Sequence, residues 1–292
     1  MLQRTLKSSR SRNSGPRFSW RRLLSNIGNY LVLIAIASMF VVPFLILLST
    51  SLIPYGKTLF TTPPTLIPTS VSGAAYETAF NAVPLLKYLL NSLLYVVTIV
   101  PLSAATCVLA GYAFGALRFR GRNVMFFLIL GTMFLPAEVM LIPRFIVASQ
   151  LGIANSYWGM ILPSLLTAFG TLIMRQAFAG IPGEMREAAL TDGAGEARIF
   201  FNIMLPVVRP SVAIVVIFGF INVWNSFLWP LVVLNDESKY PIALGIAYLA
   251  GIGSTDDRSL AAGSVISIIP IFIFFMFMQR HIMEGMRGAV KG

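Results

Sequence analysis

Long stretches without charge dominate the pattern of polar and apolar positions along this chain. No Asp, Glu, Lys or Arg occurs in six windows, at 23–56, 88–117, 123–137, 145–174, 210–235 and 259–279. A membrane-spanning helix needs about twenty apolar residues because the hydrocarbon core is about 30 Å thick, and five of the six windows exceed that length. The third window ends at Glu138, but the apolar pattern resumes to Pro143. The pattern therefore predicts six membrane helices, near 28–50, 88–115, 123–143, 156–178, 211–233 and 261–280.

Composition agrees with an all-α membrane protein. Hydrophobic residues make up 57% of the 292 positions and the mean hydropathy is +0.79, whereas soluble domains are nearer about 45–50% apolar. Strands of a membrane barrel alternate polar and apolar residues, and charge-free windows of this length are not typical of them.

Positive charge is unevenly distributed among the segments that join the predicted helices. Of the 22 Lys and Arg residues, 17 precede the first helix, follow the last, or lie around the second-to-third and fourth-to-fifth connections. Cytoplasmic loops carry the excess of Lys and Arg, so both termini and the segment 179–210 are predicted to be cytoplasmic. This topology also accounts for the net charge of +11. We therefore expect no nucleic-acid partner, although a basic chain can indicate one.

The chain divides into a basic cytoplasmic arm (1–26), a six-helix domain (27–280) with a charged loop at 179–210, and a cytoplasmic tail (281–292). The Ser- and Arg-rich arm is expected to lie near anionic lipid, and the apolar run behind it is too long for a cleaved signal peptide. A single cysteine, Cys107, and a single histidine, His281, give no basis for a disulfide or a metal site. No GxxxxGK[ST] phosphate loop occurs, so any nucleotide would be bound by another chain.

The loop at 184–210 concentrates charge in an otherwise apolar chain, because it holds four of the eleven acidic residues. Its first part has helical spacing that places Met185, Ala188, Ala189 and Asp192 on one face, with Glu184 and Glu187 on the flank. Gly193 is expected to end this helix with a positive φ. A second short helix is predicted from Glu196, with Ile199, Phe200, Ile203 and Met204 as its apolar stripe and with Pro206 and Pro210 ending it. A hairpin lying on lipid headgroups is the alternative, but an anionic leaflet would repel its acids.

Ordered motifs in this loop and beyond it resemble a known family. Glu187-Ala188-Ala189, then Gly193, then Ile203-x-Leu205-Pro206 are similar to the EAA loop of ABC-importer permeases. Further motifs resemble the carbohydrate-uptake branch of that family, and within it the smaller permease of the maltose and glycerol-3-phosphate systems. These are Asn91-Ser92, LAGYAF at 109–114, WNSF at 224–227, PLV at 230–232 and the terminal QRHIMEGMRGAVKG. The resemblance covers about 85–292.

The resemblance implies the bundle of a type I ABC-importer permease, whose coupling helix docks into an ATPase subunit. The residues expected at the ATPase are Glu184, Met185, Glu187, Ala188, Ala189, Asp192, Gly193, Ala194, Phe200, Leu205 and Pro206, joined by Gly285, Gly288 and Lys291 of the tail. The implied partners are a homologous second permease, an ATPase dimer, an external solute-binding protein and the bilayer. ATP and Mg would be bound by the ATPase, with no cofactor in this chain.

Five residues are candidates for the solute path. Asn222, Asn225 and Trp229 share one face of the predicted fifth helix, with Trp224 beside them. Amides in a membrane helix can line a sugar conduit or join helices, and both interpretations stay open. Glu138 could contact solute, or it could pair with Arg144 or another loop cation.

The outer segment 234–260 exceeds the length that a simple helix connection needs. Its stretch 249–258 is expected to contact the binding protein, as the corresponding loop does in maltose-type relatives, through Gly251, Gly253, Ser254, Thr255, Asp256 and Asp257. The alternative is a solvated connector.

The expected function is therefore a permease subunit, not an enzyme, that moves a sugar or polyol phosphate across a bacterial or archaeal cytoplasmic membrane. A secondary transporter would be expected to carry ion-coupling carboxylates at the bilayer midplane. A membrane enzyme would need a cluster of His, Asp or Glu at one interface. The sequence offers neither outside the charged loop.

Overall fold

A computed structural model describes residues 20–59, 68, 70–251 and 256–289, with side chains from 28 to 279 within those ranges. Every regular element in this part of the chain is helical. The arm residues 1–19, together with Gly253, Ser254, Thr255 and Lys291, lie outside the described residues.

The helices are, in chain order, α1 (Trp20–Leu52), α2 (Ala74–Ala82), α3 (Leu85–Gly115), α4 (Arg122–Gly131), α5 (Leu141–Gln150), α6 (Tyr157–Ile161), α7 (Ala168–Ala179), α8 (Gly183–Thr191), α9 (Glu196–Arg198), α10 (Leu205–Val207), α11 (Arg209–Trp224), α12 (Leu228–Val233), α13 (Ile242–Gly251) and α14 (Asp257–Ala289). Short 3-10 turns follow α4 and α6 and precede α13, and a π-helical turn, Ile199–Met204, joins α9 to α10.

Four helical stretches in the described part of the chain are long and apolar enough to cross a membrane. They agree with the first, second, fourth and sixth predicted spans: Gly28–Leu52, Leu85–Gly115, Tyr157–Ala179 and Asp257–Gln279. A fifth is added only if Glu196–Val207 and α11, which meet at 76°, count together. Six spans and cytoplasmic termini remain predictions.

The third predicted span, 123–143, is not one helix. Helix α4 ends at Gly131, a 3-10 turn follows, and α5 begins only at Leu141. Pro136 has no N–H to donate and restricts the residue before it to extended backbone. Leu135 accordingly has φ −86° and ψ 125°. The absence of charge gave no sign of this interruption.

The fifth predicted span, 211–233, is also interrupted. Helix α11 ends at Trp224, and α12 begins at Leu228. The helix predicted from Glu196 ends at Val207, one residue after Pro206, and the chain bends by 76° into α11, as the two prolines predict. Pro210 lies in the first turn of α11, where a proline is tolerated because the N–H it lacks has no helical partner there.

Helix α3 runs through both buried clusters of the bundle. Its first half belongs to a cluster that also holds residues of α11, α12, α13 and α14, and its second half packs with α7 and the charged loop. Gly111 and Gly115 lie where α3 meets α7. A Cβ added to Gly115 would come within 2.8 Å of the Arg175 carbonyl oxygen, and one added to Gly111 would lie 2.7 Å from the Met174 carbonyl carbon. The close approach of α3 and α7 therefore requires glycine at both positions.

We expect Gly111→Ala to destabilise the bundle by about 1–3 kcal/mol, the usual cost of forcing extra atoms into a packed core. The matched control is Gly219→Ala, where the new Cβ would be 3.5 Å from Val100 and needs no shift. Thermal unfolding of the detergent-purified protein measures both. Equal melting temperatures for the two variants would contradict this account of the α3–α7 contact.

Candidate functional site

Helix α8 turns a different face inward from the one predicted. Ala189 is buried and Arg186 is half-buried, so these two residues, three apart, form the inner face. Ala188 is exposed, because neighbouring residues on a helix point about 100° apart. The predicted single face of Met185, Ala188, Ala189 and Asp192 is therefore wrong in one respect, since Ala189 packs inside this chain.

The outward side of α8 carries both acids and apolar side chains. Glu184, Glu187 and Ala188 are exposed, and Met185 and Leu190 are 41% and 42% exposed. Leu190 was not among the predicted contacts, although it lies within the EAA stretch. A helix that shows carboxylates, a small residue and two large apolar side chains to the outside has the surface of a docking element.

Helix α8 ends as the sequence predicts. Gly193 has φ +78°, a conformation that favours glycine. The following backbone N–H groups bond back to the helix, from Gly193 to the Leu190 carbonyl and from Ala194 to the Ala189 carbonyl, each at 3.0 Å. Asp192 is exposed at the end of the helix, and Ala194 is half-buried.

A network of three side chains fixes the loop against the C-terminal part of α3. Arg186 donates to both carboxylate oxygens of Glu196, from Nε at 3.2 Å and from Nη2 at 2.7 Å. The Tyr112 hydroxyl donates to the same carboxylate. The hydrogen bonds that Arg186 donates to Glu196 raise the pKa of Arg186 above its ordinary value, so this contact holds a charged pair. Sequence reasoning missed this network, because Tyr112 is 84 residues away from Glu196 in the chain.

The second half of the loop packs inward along its predicted apolar stripe. Phe200 is buried, with its ring centroid 4.9 Å from that of Tyr112 and 6.3 Å from that of Phe178. The expectation that Phe200 contacts another subunit therefore does not fit its position. Phe201 is instead 61% exposed, while Leu205 and Pro206 are half-buried.

A cavity of about 520 Å³ lies among the helices on the other side of this packing. Small-molecule sites commonly have volumes of about 300–1,000 Å³. Its walls come from α3, the 132–144 stretch, the segment 160–170 and α11. Its polar side chains are Ser103, Thr132, Arg144, Ser164, Thr167, Asn222 and Ser226.

Of the predicted path residues, only Asn222 lines this cavity. Trp229 is buried and donates its indole N–H to the Gly159 carbonyl at 3.0 Å. Trp224 is also buried and stacks on Phe220. Asn225 bonds to the Ile221 carbonyl of its own helix and is absent from the cavity wall. The predicted common face does not exist, because α11 ends at Trp224.

Glu138 is exposed in the connection between α4 and α5. Among the described residues it forms no ion pair and does not line the cavity. The suggested pairing with Arg144 is therefore absent. Arg144 lies instead over the Trp229 ring, with its guanidinium carbon 4.2 Å from the ring centroid, and donates to Ser164 Oγ at 3.3 Å.

The start of α3 holds the opposite end of the bundle through the Asn91-Ser92 motif. Asn91, Ser92 and Tyr95 all bond to the backbone of the segment that precedes α13. The hydrogen bonds run from Asn91 Nδ2 to the carbonyls of Ser238 (2.9 Å) and Tyr240 (3.0 Å), from the Tyr95 hydroxyl to the carbonyl of Lys239 (2.9 Å), and from the Ile242 amide to Ser92 Oγ (2.7 Å).

The same segment is stabilised by its own charged pair. Lys239 Nζ lies 2.7 Å from Asp236, whose carboxylate also accepts from the Ser238 amide at 2.9 Å. Lys239 and Ser238 hold the pKa of Asp236 well below its usual value. Asn155, at φ +54°, accepts from the Asn235 and Asp236 amides at 3.0 Å. The segment is thus a fixed surface.

The predicted binding-protein stretch is only partly within the described residues. Gly251 ends α13 and is exposed. Asp256 forms an ion pair with the buried Arg258, whose guanidinium also donates to the Lys57 carbonyl. Asp257 is exposed in the first turn of α14. Of the two acids, Asp257 is therefore the one that is open to a partner.

The tail residues Gly285 and Gly288 lie in the last turns of α14, which continues to Ala289. Their expected contact with an ATPase thus falls on a helix rather than on an irregular tail.

Long apolar helices around a cavity that holds several polar side chains, with a charged loop packed against them, are typical of a membrane transport subunit. Residues 107–288 match the family of the binding-protein-dependent transport system inner membrane component, and the chain belongs to that family. The expected resemblance is thereby confirmed.

Similar proteins include bacterial permeases for sugars and for sn-glycerol 3-phosphate. The arabinooligosaccharides transport system permease protein AraQ of Halalkalibacterium halodurans is 39% identical over 203 residues, which cover 69% of this chain and 73% of the relative. The lactose transport system permease protein LacG of Rhizobium radiobacter is 33% identical over 276 residues, or 93% and 98% of the two chains. These relatives are transport permeases rather than enzymes.

A solved structure shares the fold. It is the crystal structure of a bacterial ABC transporter involved in the import of the acidic polysaccharide alginate, and one of its chains aligns with a TM-score of 0.74 at 25% identity. The alignment covers 91% of this chain and 99% of that chain. The architecture is therefore that of an ABC-importer permease.

We expect Glu196→Gln to loosen the attachment of the loop to α3. The ion pair is partly exposed, with 27% and 40% of the two side chains accessible, so solvent screening limits its contribution to about 1 kcal/mol. Amide hydrogens of 183–198 should then exchange about fivefold faster. Glu184→Gln, which removes an exposed carboxylate without breaking this network, is the control. The same exchange rates in both variants would contradict a role for Glu196 in holding the loop.

Proposed function

We propose that this chain is the permease subunit of an ATP-driven importer for a sugar or oligosaccharide. The observation that carries the proposal is the outward surface of α8, where acids and apolar side chains are exposed although the rest of the loop packs inward. Membership of the family and the sugars named for its relatives support it. A polyol phosphate is the second candidate class of solute, because a polar cavity with a guanidinium suits a phosphate.

The assembly would contain a homologous second permease, an ATPase dimer that binds ATP and Mg, and an external solute-binding protein. Both termini would lie inside a bacterial cytoplasmic membrane, with the arm 1–26 and the tail 281–292 beside the ATPases. Helix α8 would fit a groove of one ATPase. ATP-driven closure would then move the two permeases as rigid bodies between inward- and outward-facing states.

The contacts within this chain connect α8 to α3, so that a movement of α8 would be passed on to α3. Arg186 and Ala189 fix α8 from inside, and Glu196 ties it to Tyr112 of α3. A force applied to the exposed side of α8 would reach α3 through a charged network and packed aromatic rings. The docking residues are then Glu184, Met185, Glu187, Ala188, Leu190 and Asp192, whereas Ala189 and Phe200 support them from within.

At the other end of the molecule, the segment 235–241 and the start of α14 would face the binding protein. The hydrogen bonds from Asn91 and Tyr95 to its backbone keep that segment in place, and Asp257 offers an exposed carboxylate in the first turn of α14. Gly251 would allow the chain to turn between α13 and α14.

Ala188→Arg should abolish ATPase activity that depends on the assembled importer, because a long cation would stand where a groove requires a small side chain. The side chain is exposed, so insertion and folding should be unchanged. The control is Ala82→Arg, an equally exposed alanine at the end of α2. Membrane levels, ATPase co-purification and stimulated hydrolysis are measured. Normal ATPase binding by Ala188→Arg would refute docking through α8.

Asp257→Lys should leave assembly and basal hydrolysis intact but remove the stimulation produced by loaded binding protein. The comparison is Asp256→Asn, which strips the buried Arg258 of its carboxylate and should lower the melting temperature, since an unpaired buried charge costs about 3–5 kcal/mol. Full stimulation of the Asp257→Lys importer would show that this carboxylate has no part in delivery.

A further inference from the structure

One charged side chain lines the cavity between the helices. Of the twenty residues in its wall, Arg144 is the only one that carries charge, and none is acidic. The remaining wall is made of apolar side chains, hydroxyls and the amide of Asn222. The cavity therefore has a positive charge that no carboxylate in its own wall offsets.

The partners of Arg144 are neutral as well. Its guanidinium lies over the ring of Trp229 and donates to Ser164 at 3.3 Å. None of the three ion pairs found among the described residues includes it. A guanidinium has five N–H donors and stays protonated in proteins. One hydroxyl and one ring face leave most of this donor capacity available to a ligand.

The rest of the wall suits a carbohydrate. Phe169 and Phe218 both line the cavity and meet edge to face, with ring centroids 5.1 Å apart. Aromatic faces of this kind pack against the C–H surfaces of sugar rings. Hydroxyls of Ser103 and Thr132 supply hydrogen-bonding groups for sugar hydroxyls. A guanidinium in the same wall adds a planar fork that matches an oxyanion.

We propose that Arg144 makes the cavity selective for a solute that carries a negative group, a carboxylate of an acidic sugar or a phosphate ester. The inference rests on the proposed function and specifies its substrate class. A neutral sugar would leave the guanidinium without a charged partner, whereas a uronate or phosphate would form a charge-assisted pair with it. Arg144 would then act as a specificity-determining residue.

A purely structural role is the competing explanation, in which Arg144 only holds Trp229 and Ser164 in place. The two explanations differ in whether Arg144 discriminates between charged and neutral solutes. Whether its charge acts within the cavity can be measured first, without knowing the natural solute. Cys107 is fully buried, so Cys107→Ser gives a background in which one introduced thiol reports on the cavity.

The first experiment compares thiol reagents of opposite charge. Ser164→Cys, introduced into the complete importer with Cys107→Ser, is treated with sulfonate-bearing and trimethylammonium-bearing methanethiosulfonates. Both reagents attack the same thiolate, so the ratio of their rates cancels any change in thiol acidity. Arg144→Gln should lower the ratio of anionic to cationic labelling about fivefold, as the loss of one nearby charge predicts. Arg144→Lys should preserve it.

The second experiment measures transport by the reconstituted importer with ATP inside the vesicles. The probes are digalacturonate, a neutral galactose disaccharide and glycerol 3-phosphate. Arg144→Gln should reduce uptake of an anionic probe at least about tenfold relative to the neutral one, and Arg144→Lys should restore part of it. Loss confined to digalacturonate identifies a carboxylate as the recognised group, and loss confined to glycerol 3-phosphate identifies a phosphate.

The outcomes separate the inference from the function on which it rests. A labelling ratio that is unchanged by Arg144→Gln overturns the inference, as does an equal loss of uptake for charged and neutral probes. If the ratio falls but the wild-type importer moves none of the probes and its hydrolysis is not stimulated, the proposed function fails while the anion preference of the cavity stands.

Discussion

The close approach of α3 and α7 at two glycines is the constraint on which the other contacts depend. Gly111 and Gly115 let the backbone of α7 come so near that a methyl group would collide with it. Tyr112 lies between these glycines in sequence, and its ring meets Phe178 of α7 at 5.3 Å. The position of the Tyr112 hydroxyl, and through it of Glu196, is therefore set by how closely the two helices pack.

Both helices of this pair touch the cavity at one end and the charged loop at the other. On α3, Ser103 lines the cavity and Tyr112 bonds to the loop, and nine residues of helix separate them by about 14 Å. On α7, Gly170 lines the cavity and Phe178 packs on Phe200. Because a packed helix pair moves as a unit rather than bending, a displacement of the loop would displace the cavity wall as well.

The sequence predicted the features that depend on local chemistry. Charge-free windows located four spans, and Gly193 was identified because the positive φ at the end of α8 favours glycine. The interruptions at Pro136 and after Trp224 were missed. An apolar window reports the free energy of transfer into lipid and does not report whether the helix within it is continuous.

The assignment of faces was also beyond the sequence. Ala188 and Ala189 have the same chemistry, and only the packing of the loop against distant parts of the bundle leaves one exposed and the other buried. In the sequence, Trp224 and Trp229 are compatible with a sugar conduit as well as with a contact between helices. In the structure, Trp224 stacks on Phe220 and Trp229 bonds to Gly159, so both lie in the core. Arg144 was considered only as a partner for Glu138, and its cavity became visible only in three dimensions.

Helix α3 fixes where the segment 238–242 runs without fixing which side chains that segment presents. Asn91, Ser92 and Tyr95 bond to main-chain atoms of 238–242 and to none of its side chains. A main-chain contact fixes where a segment runs but places no demand on which side chains it presents. The side chains that this segment presents can therefore vary without moving the segment. Within one bundle, α3 sets the position of the segment, and the proposed contact with a binding protein would depend on the side chains that the segment carries.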